Sequence, residues 1–302
     1  MLASVVIRTF NEATYLEELL QAIANQDCSF CGVEVVIVDS GSTDRTLAIA
    51  NQYNCLITTI SQSEFSFGRS LNIGCDVANG DYLVFVSGHC IPVDNQWLEQ
   101  LIAPLYEQKV AYTYGRQVGR DTTKFSEACY FEKTFPGYSK IPQEGYFCNN
   151  ANAAITREAW SRFKFDEELT GLEDMYLGQQ LTASGEQIGY VADARVFHIH
   201  DESWGQVKVR YEREAYALHR IMPGLHFGLR DFFRFFAAGL LSDSAAAIQK
   251  QSFLKEFPNI VMFRLMHYWG TYKGNHQVRQ LSAELKYKYF YPKDVESELY
   301  RE

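Results

Sequence analysis

The sequence predicts an α/β fold in which a mostly parallel sheet carries helices on both of its faces. Two observations support this prediction. Between residues 3 and 86, short runs of β-branched and aromatic residues alternate with segments of helical periodicity, and the links between them are short. Such alternation is typical of parallel sheets. The chain of 302 residues is long enough to bury a large core, and its 47% hydrophobic and 22% charged residues are ordinary values for a globular protein.

The first strand is predicted over residues 3–8, and the helix after it presents a single apolar face. Its apolar side chains recur at the spacing of one helix face, at Leu16, Leu19, Leu20 and Ile23. Asn11 is expected to cap this helix, because an asparagine side chain accepts a hydrogen bond from a backbone N–H of the first turn. Glu12 falls in that first turn, where the helix dipole favours an acid.

The second strand is predicted over residues 33–38 and the second helix over residues 44–53. Ser42 or Thr43 is expected to cap this helix, because both side chains accept hydrogen bonds from backbone N–H groups. The third strand is predicted over residues 56–60, where the apolar side chains resume.

The fourth strand, residues 82–86, follows a third helix that is expected to end at Gly80, a glycine at the usual C-cap position. This strand runs directly into a polar turn at residues 87–90. Pro92 is expected to mark the end of regular strand pairing, because proline has no backbone N–H to donate. A further strand is predicted over residues 111–118.

Polar side chains collect where these strands end. They are Thr9, Glu12, Asp39, Ser42, Glu64, Arg69, Ser87 and His89. Because ligands bind beyond the carboxyl ends of the strands in open α/β sheets, this pattern predicts a crevice of nucleotide size. No GxGxxG fingerprint follows the first strand, and no GxxxxGK[ST] loop occurs. Asp39 is suited to accept a hydrogen bond from a ribose hydroxyl or a base N–H.

The formal net charge of −9 argues against a nucleic-acid partner, which a protein usually binds through a basic surface. A phosphate-bearing ligand stays compatible with this charge, because a few arginines and helix N-termini suffice to bind one. Seven cysteines, in a chain that begins without a basic and apolar leader, predict reduced thiols and a cytoplasmic location. No apolar run approaches the ~20 residues that span a bilayer.

Six segments of the chain, taken together, resemble the family 2 glycosyltransferases with the GT-A fold. They are IRTFNEATYLEELL, VIVDSGSTDRTLAIA, ANGDYLVFVSGHCIP, FCNNANAAITREAW, GLEDMYLGQQL and VFHIHDESW. The resemblance covers about residues 3–220, and EFSFGRSLN is similar to a segment of rhamnosyltransferase-like bacterial members. It implies a GT-A catalytic domain over residues 1–220, with a nucleotide-sugar-binding half (1–118) and an acceptor half (119–220). A helical C-terminal extension would then cover residues 221–302.

The resemblance also implies which residues bind the donor. They are Thr9, Glu12, Asp39, Ser42, Arg69, Ser87, His89, Arg116 and Asn150. Arg69 is expected to bind the donor diphosphate, because a guanidinium matches phosphate geometry. The alternative is an exposed arginine paired with Glu64. Asn149, Asn150 and Asn152 are expected to face the sugar or the acceptor, since amides both donate and accept hydrogen bonds.

In the family, the aspartate of the ED pair within the GLEDMYLGQQL-like segment is the general base of an inverting transfer. The resemblance assigns that role to Asp174, with Glu173 in support. The carboxylate would take the proton of the acceptor hydroxyl while its oxygen attacks the anomeric carbon opposite the leaving nucleotide. Partial removal from water would raise the pKa of such a base usefully.

Family members usually carry a DxD motif after the fourth strand, and its carboxylates bind Mn²⁺ or Mg²⁺. This chain has Ser87-Gly88-His89 there, so both carboxylates are missing. Two alternatives stay open. In one, His89 and His198, with His200 nearby, bind a divalent metal, although imidazole suits later transition metals better than Mn²⁺ or Mg²⁺. In the other, the enzyme works without metal, and His89 with Arg69 or Arg116 stabilises the leaving phosphate directly.

Beyond about residue 220 the sequence pattern is helical, with aromatic clusters interrupted by Arg230 and Arg234. Two alternatives stay open for this extension. It forms an amphipathic surface that touches a membrane or a lipid-linked acceptor, or it packs on the catalytic domain or forms a homodimer contact. The first alternative would place the protein peripherally at the inner face of the cell membrane.

The sequence therefore predicts an inverting hexosyl- or deoxyhexosyltransferase that uses a nucleotide-sugar donor and a glycan or lipid-linked glycan acceptor, in bacterial surface polysaccharide synthesis. The alternative is a sugar-nucleotide-binding homologue without catalysis, prompted by the missing DxD motif. Asp174 argues against this alternative, because a binding protein needs no base. No motif identifies the donor base, the sugar or the acceptor.

Overall fold

The computed structural model describes residues 1–277 and 281–292. The chain divides into two compact units. The first comprises Met1–Asp121, Phe131–Glu168 and Glu173–Ile199, and the second comprises Thr122–Tyr130, Leu169–Leu172 and the described residues from His200 onward. The predicted functional division at residue 220 stays a prediction, and the last ten residues of the predicted extension lie outside the described residues.

A mixed sheet forms the centre of the first unit. Its strands are β1 (Leu2–Thr9), β2 (Gly32–Asp39), β3 (Leu56–Thr59), β4 (Tyr82–Val86), β5 (Cys90–Pro92), β6 (Tyr112–Val118), β7 (Asn152–Thr156) and β8 (Ile188–His198). They are ordered β3-β2-β1-β4-β7-β6-β8-β5. Four of the seven neighbouring pairs run parallel, and the pairs β4–β7, β6–β7 and β5–β8 run antiparallel. The prediction of a mostly parallel sheet is confirmed.

The helices of the described residues lie between and after these strands. They are α1 (Ala13–Ala24), α2 (Thr46–Ala50), α3 (Phe67–Val77), α4 (Trp97–Tyr106), α5 (Phe125–Thr134), α6 (Arg157–Phe163), α7 (Glu173–Ala183), α8 (Trp204–Ile221), α9 (Leu229–Gln249), α10 (Phe253–Asn275) and α11 (Ala283–Phe290).

The core of the first unit forms where helix faces meet the sheet. The four residues predicted to share one face of α1 are all buried. Every residue of β4 is buried as well, as expected of a central strand covered on both sides. In α1 and β4 the apolar pattern of the sequence therefore predicted correctly which side chains leave water.

The start of α1 differs from the prediction. Glu12 occupies the N-cap position and makes no side-chain capping bond. Asn11 instead has a φ of +53°, and its side-chain oxygen accepts hydrogen bonds from the backbone N–H groups of Thr43 (2.9 Å) and Asp44 (3.3 Å). Asparagine tolerates this left-handed conformation better than most residues. The predicted cap is therefore a link between the loops after β1 and β2.

The second helix is shorter than predicted, and its N-cap residue is Arg45, which makes no side-chain capping bond. α2 is followed by a 3₁₀ turn over Asn51–Tyr53. The backbone N–H of Thr46 donates to Asp44, at 2.9 Å, rather than to Ser42 or Thr43. An acidic side chain satisfies an unpaired N–H of the first turn as well as a hydroxyl does.

The prediction that Gly80 caps the third helix is wrong. α3 ends at Val77, and Ala78 follows in an extended conformation. Gly80 instead donates its N–H to the Ser4 hydroxyl at 2.7 Å. A Cβ at this position would lie 2.5 Å from Ser4 Oγ and 2.7 Å from the Leu2 carbonyl oxygen. Glycine is required here by the close approach to β1.

Pairing continues further along the chain than predicted. After the turn at residues 87–89, Cys90, Ile91 and Pro92 form the short strand β5 beside β8. Pro92 is tolerated because β5 lies at the edge of the sheet, where one side of the strand needs no partner.

Beyond residue 203 the described residues of the second unit form the helices α8 to α11 and short loops beside them, which confirms the predicted helical extension. Val207, Tyr211 and Phe263 form a small core between α8 and α10. Arg264 donates two hydrogen bonds to the buried carboxylate of Asp243, at 2.6 and 2.7 Å. Within the described residues, no helix combines the length and the apolar character needed to cross a membrane.

Candidate active site

The ends of β1 and β2 lie side by side, with Thr9 opposite Asp39 in the sheet register. The Asp39 carboxylate accepts four hydrogen bonds: from the Thr9 hydroxyl (2.9 Å), the Ser42 hydroxyl (2.5 Å), and the backbone N–H groups of Gly41 and Ser42 (both 2.9 Å). A carboxylate offers about four lone-pair sites. Asp39 therefore shapes the loop after β2, and this geometry brings Thr9, Asp39 and Ser42 together as predicted.

The turn after β4 packs against the loop after β1. His89 Nδ1 lies 3.2 Å from Glu12 Oε1. Between them, a Cβ at Gly88 would lie only 2.9 Å from Glu12 Cγ, so glycine allows the two loops to approach. Ser87 is half-buried at the start of this turn, and its carbonyl oxygen accepts the Cys90 N–H at 2.9 Å.

His89 and His198 meet at the carboxyl end of the sheet. Their rings stack with centroids 5.3 Å apart and an interplanar angle of 25°. The Phe131 ring also stacks against His198, at 5.7 Å and 13°. β5 and β8 place the two histidines together, because Cys90 is the register partner of His198. The predicted pair is therefore adjacent in the structure.

A chain of hydrogen bonds determines which nitrogen of His198 carries a proton. The backbone N–H of Ala151 can only donate, and it donates to the side-chain oxygen of Asn149 at 3.0 Å. The Gln117 amide therefore presents its NH₂ to that oxygen, at 2.9 Å, and its carbonyl oxygen to His198 Nδ1, at 2.6 Å. His198 consequently bears its proton on Nδ1, and Nε2 is the basic nitrogen of the neutral ring.

Asp174 lies in the first turn of α7, and its carboxylate accepts two backbone N–H bonds, from Asn150 (2.8 Å) and Met175 (2.7 Å). The side chain is buried. Burial, reinforced by the neighbouring Glu173 charge, raises the pKa of Asp174 to about 7, although the two N–H bonds and Arg8 oppose this rise. A carboxyl group with this pKa is half-ionised near neutral pH, as a general base requires.

Arg8 compensates the buried acidic pair. Its guanidinium lies 3.3 Å from Glu173 Oε1, and the exposed fractions of the two side chains are 20% and 5%. It also lies over the Phe67 ring, 4.7 Å from the centroid. Arg8 is not among the site residues predicted from the sequence, although a charge within an otherwise apolar strand is a signal for such a residue.

Two of the predicted donor-binding residues keep a buried nitrogen that has no hydrogen-bond partner within the described structure. They are Asn150, through Nδ2, and Arg116, through Nε. The Asn150 side-chain oxygen is occupied by the Tyr112 hydroxyl at 2.5 Å. A buried donor without a partner costs free energy, on the order of 1–3 kcal/mol, unless a ligand or water supplies an acceptor.

Arg69 and Asn152 make other contacts. Arg69 donates to Glu167 (2.8 Å) and to the Glu64 carbonyl oxygen (3.0 Å), with 42% of its side chain exposed. Arg69 therefore contacts Glu64, the residue with which the alternative prediction paired it, but through the backbone carbonyl oxygen. Asn152 was expected to face the sugar, but it is fully buried, accepts from the Trp97 indole and donates to the Ala194 carbonyl oxygen. It ties α4 to the sheet.

The residues at the end of β4 fit a magnesium ion poorly, because the turn provides Ser87 and His89 where the family has carboxylates. The groups at hand within the first unit are the imidazoles of His89 and His198 and the Glu12 carboxylate, which already contacts His89. Two imidazoles and one carboxylate suit a transition metal better than a hard cation. An imidazole that has taken up a second proton can also donate a hydrogen bond from Nε2 to a phosphate, so both alternatives remain compatible with these residues.

His200, weighed as a third ligand, belongs to the second unit. Its Nδ1 lies 2.7 Å from Glu127, and Arg210 donates to both Glu127 (2.6 Å) and Glu202 (2.8 Å). Burial alone would raise the pKa of Glu127, but its contacts with His200 and Arg210 lower that pKa to about 2. Ligand atoms of Glu127, His200 and Glu202 lie within 4.8 Å of one another. Arg210 pairs with both acids, so this group is an ion-pair cluster.

The family model for glycosyl transferase family 2 matches residues 4–167 of this chain. Two curated relatives are similar over most of their length. The O-antigen chain rhamnosyltransferase WbaN of Salmonella anatum is 26% identical over 79% of this chain and 81% of its own. The O-antigen chain rhamnosyltransferase RfbN of Salmonella typhimurium is 23% identical over 90% of this chain and 91% of its own.

Two solved structures are similar in fold. The mannosyltransferase PcManGT from Pyrobaculum calidifontis, in complex with GDP-Man and Mn²⁺, has a TM-score of 0.62 at 18% identity, covering 92% of this chain and 88% of its own. Staphylococcus aureus TarS in complex with UDP-GlcNAc has a TM-score of 0.55 at 16% identity, covering 92% of this chain and 93% of its own. These similarities confirm the predicted GT-A fold class.

Proposed function

The chain belongs to glycosyl transferase family 2, and from this premise we propose that it is an inverting glycosyltransferase that moves a sugar from a nucleotide-sugar donor to a hydroxyl of a glycan or lipid-linked glycan. The similarity to two O-antigen chain rhamnosyltransferases supports a hexosyl or deoxyhexosyl donor and a role in bacterial surface polysaccharide synthesis. The nucleotide sugars bound in the structural neighbours support the same class of donor.

The observation that carries the proposal is the environment of Asp174. Its buried carboxyl is held by two backbone N–H bonds and has a pKa of about 7. In the proposed step, the ionised carboxylate takes the proton of the acceptor hydroxyl. The hydroxyl oxygen attacks the anomeric carbon while the bond to the nucleotide diphosphate breaks, so the configuration inverts. Glu173 and Arg8 together keep the local charge balanced.

The donor would occupy the edge of the sheet where β1, β2 and β4 end. Asn150 Nδ2 and Arg116 Nε are the buried donors that need acceptors, and the oxygens of a sugar or a diphosphate would supply them. His89 and His198 lie together at this edge and would bind the diphosphate, either through a metal or directly. Thr9, Glu12, Asp39, Ser42 and Ser87 would shape the nucleotide end of the site. Arg69 would reach the diphosphate only after leaving Glu167.

A divalent metal at His89 and His198 would neutralise the leaving diphosphate. Without it, the two imidazoles would donate hydrogen bonds to the same oxygens only in their protonated form, in which both ring nitrogens are donors. Binding calorimetry with UDP-, GDP-, dTDP- and CMP-sugars, each with EDTA and with Mn²⁺ or Mg²⁺, separates these routes. If donor binding survives EDTA, the metal route is wrong. If donor binding needs the metal and is lost in His89→Ala, the direct route is wrong.

The test of catalysis is Asp174→Asn. This variant is expected to bind the selected donor as the native protein does, and to lose about 10²- to 10⁴-fold in transfer rate because the base is removed. Asp76→Asn is the matched control, since Asp76 is an exposed aspartate paired with Lys164. An Asp174→Asn protein with native activity would contradict the assignment of the base. A product that keeps the donor's anomeric configuration would contradict inversion.

The second candidate is a nucleotide-sugar-binding homologue without catalysis. One specific observation favours it: the turn after β4 lacks the two carboxylates of the DxD motif. Tight donor binding without nucleotide release, in the presence of polysaccharide precursors isolated from the source cells, would favour this candidate. Failure to bind any donor would contradict both candidates.

A further inference from the structure

Helix α9 presents an apolar face to solvent. The 14 residues 235–248 contain one ionisable side chain, Asp243, and that carboxylate is buried against Arg264. A helix on the surface of a globular protein normally turns charged and polar residues outward. α9 therefore has the composition of a buried helix along most of its length.

The exposed and buried residues of α9 lie on opposite faces. At 100° per residue, Phe233, Leu241 and Ile248 fall within one sector of the helix, and their exposed fractions are 61%, 71% and 61%. Ala237 and Ala245 lie in the same sector and are exposed too. The residues that pack inward are Phe232, Asp243 and Ala247. The outward sector, which we call the α9 apolar face, runs about 22 Å along the helix.

Positive charges lie at both ends of the α9 apolar face, and one of them, Arg234, lies within its outward sector in the first turns of the helix. Arg230 and Arg234 are exposed near the helix N-terminus, and Lys250 and Lys255 are exposed just past its C-terminus. The acids of this segment are not exposed: Asp231 and Glu256 are half-buried and Asp243 is buried. The exposed charges between residues 229 and 259 are therefore all positive, although the whole chain has a net charge of −9. Next to Lys255, Leu254 is 90% exposed.

We propose that the α9 apolar face docks on a bilayer surface that contains anionic lipids, with α9 lying in the plane of the interface. Apolar side chains on one face and cations at its ends are the combination that binds helices to such surfaces. The charge pattern disfavours a second copy of this chain as the occupant. Two α9 helices packed face to face would bring cations against cations in either the parallel or the antiparallel arrangement, because both ends are positive.

The first experiment is co-sedimentation of the full chain with vesicles of phosphatidylcholine alone and of phosphatidylcholine with phosphatidylglycerol. The protein is expected to sediment with the anionic vesicles and not with the neutral ones, and binding is expected to weaken with added salt, which screens the charges. No binding to anionic vesicles would overturn the proposal, and so would equal binding to both kinds.

Two double variants test the face itself. Arg230→Gln/Arg234→Gln is expected to lower the partition onto anionic vesicles roughly 10- to 30-fold, since each cation near an anionic surface contributes about a fivefold factor. Leu241→Glu/Ile248→Glu is expected to abolish binding, because it places two acids in the apolar face. Since both glutamates replace exposed side chains, the fold should survive, which circular dichroism and unchanged donor affinity would check.

The matched control is Gln21→Glu/Ala24→Glu, which adds the same two negative charges at exposed positions of α1. This control should sediment as the native protein does. If it loses binding as fully as the Leu241→Glu/Ile248→Glu variant, net charge rather than the α9 apolar face explains the effect, and the proposal fails. A dimer in analytical ultracentrifugation that the Leu241→Glu/Ile248→Glu change dissolves would also overturn it, because the face would then bind a second copy.

Discussion

The tautomer of His198 is set by hydrogen bonds from residues that take no part in the proposed reaction. The Ala151 N–H orients Asn149, Asn149 orients Gln117, and the Gln117 carbonyl oxygen receives the proton on His198 Nδ1. Nε2 is thereby kept as the nitrogen that can bind a metal or accept a proton. Partners of this kind orient active-site histidines and tune their basicity.

Gln117→Leu should remove the preference of His198 for the Nδ1–H tautomer, because leucine offers no acceptor to Nδ1. We expect the donor affinity, or the metal affinity if the metal route holds, to fall about 10- to 100-fold. Long-range ¹H–¹⁵N NMR spectra of the histidine rings should show the proton leaving Nδ1. Gln117→Glu is the matched control, since its carboxylate still accepts from Nδ1 and should retain the tautomer. An unchanged ¹⁵N spectrum in Gln117→Leu would contradict the relay.

The pKa of Asp174 leads to a pH dependence of the transfer. With a pKa of about 7, the carboxyl is protonated and inactive as a base below that pH and ionised above it. The plot of kcat/KM against pH should therefore rise through about pH 7 and level off above it. Initial rates from pH 5.5 to 8.5 at constant ionic strength would check this. A flat profile across that range would exclude Asp174 as the group whose ionisation limits the rate.

Arg8 is expected to act on both stability and catalysis. Arg8→Met leaves the buried Glu173 without its cation, so the free energy of unfolding should fall by on the order of 3 kcal/mol. Because the Arg8 charge lowers the pKa of Asp174, its removal should move the rise of the pH profile to higher pH. Urea unfolding and the pH profile measure the two effects.

The conservative variant Arg8→Lys separates charge from general packing. It keeps a cation near Glu173 and should restore most of the stability and the native pH profile. If Arg8→Met and Arg8→Lys behave alike in both measurements, the ion pair with Glu173 contributes little, and the contact with Phe67 is the main role of Arg8.

At the scale of elements, the link between α3 and β4 depends on the absence of a side chain at Gly80. A Cβ there would meet Ser4 Oγ and the Leu2 carbonyl oxygen at 2.5 and 2.7 Å, so β1 would have to shift. Gly80→Ala should lower the free energy of unfolding by about 1–3 kcal/mol. The denaturation midpoint measures this change.

Gly32→Ala is the control for this prediction. A Cβ at Gly32 would lie 3.6 Å from Leu2 Cδ1, an ordinary contact distance, so its effect should be small. Equal losses in the two variants would mean that backbone freedom, rather than the close approach to β1, decides the cost at Gly80.

Another element-scale feature is the reversal of direction in the sheet. β7 runs antiparallel to both of its neighbours, β4 and β6. Asn150 and Ala151 precede β7 directly, so the reversal carries their backbone to the edge where β4 ends, and the Ser87 N–H donates to the Ala151 carbonyl oxygen at 3.4 Å. The site thus combines the ends of parallel strands with the beginning of an antiparallel one.

At the scale of the whole molecule, the two compact units carry different chemistry. The first unit contains the proposed transferase residues, from Arg8 to His198. The second contains buried ion pairs, such as Arg264 with Asp243, together with the α9 apolar face. The strongly acidic chain therefore keeps a local basic surface, which net charge and composition cannot reveal because they average over all residues.

The sequence by itself predicted the strands β1 to β4 and β6, the helices between the first four strands and the buried face of α1, because apolar periodicity records the side chains that leave water. It also predicted that Thr9 and Asp39 lie at the same edge of the sheet, since the ends of neighbouring parallel strands lie together. It did not predict β5, β7 or β8. Its motifs identified the family and singled out Asp174 and His198.

Only the tertiary structure decided which polar groups meet. Arg8 contacts Glu173, which lies 165 positions further along the chain, and Gln117 contacts His198, which lies 81 positions further along. The same holds for Asn152, which was expected to face a sugar and instead supports Trp97 from within the core. Periodicity encodes the face on which a side chain lies but not its partner, because the partner depends on strand order and register. These are set by the packing of the whole sheet.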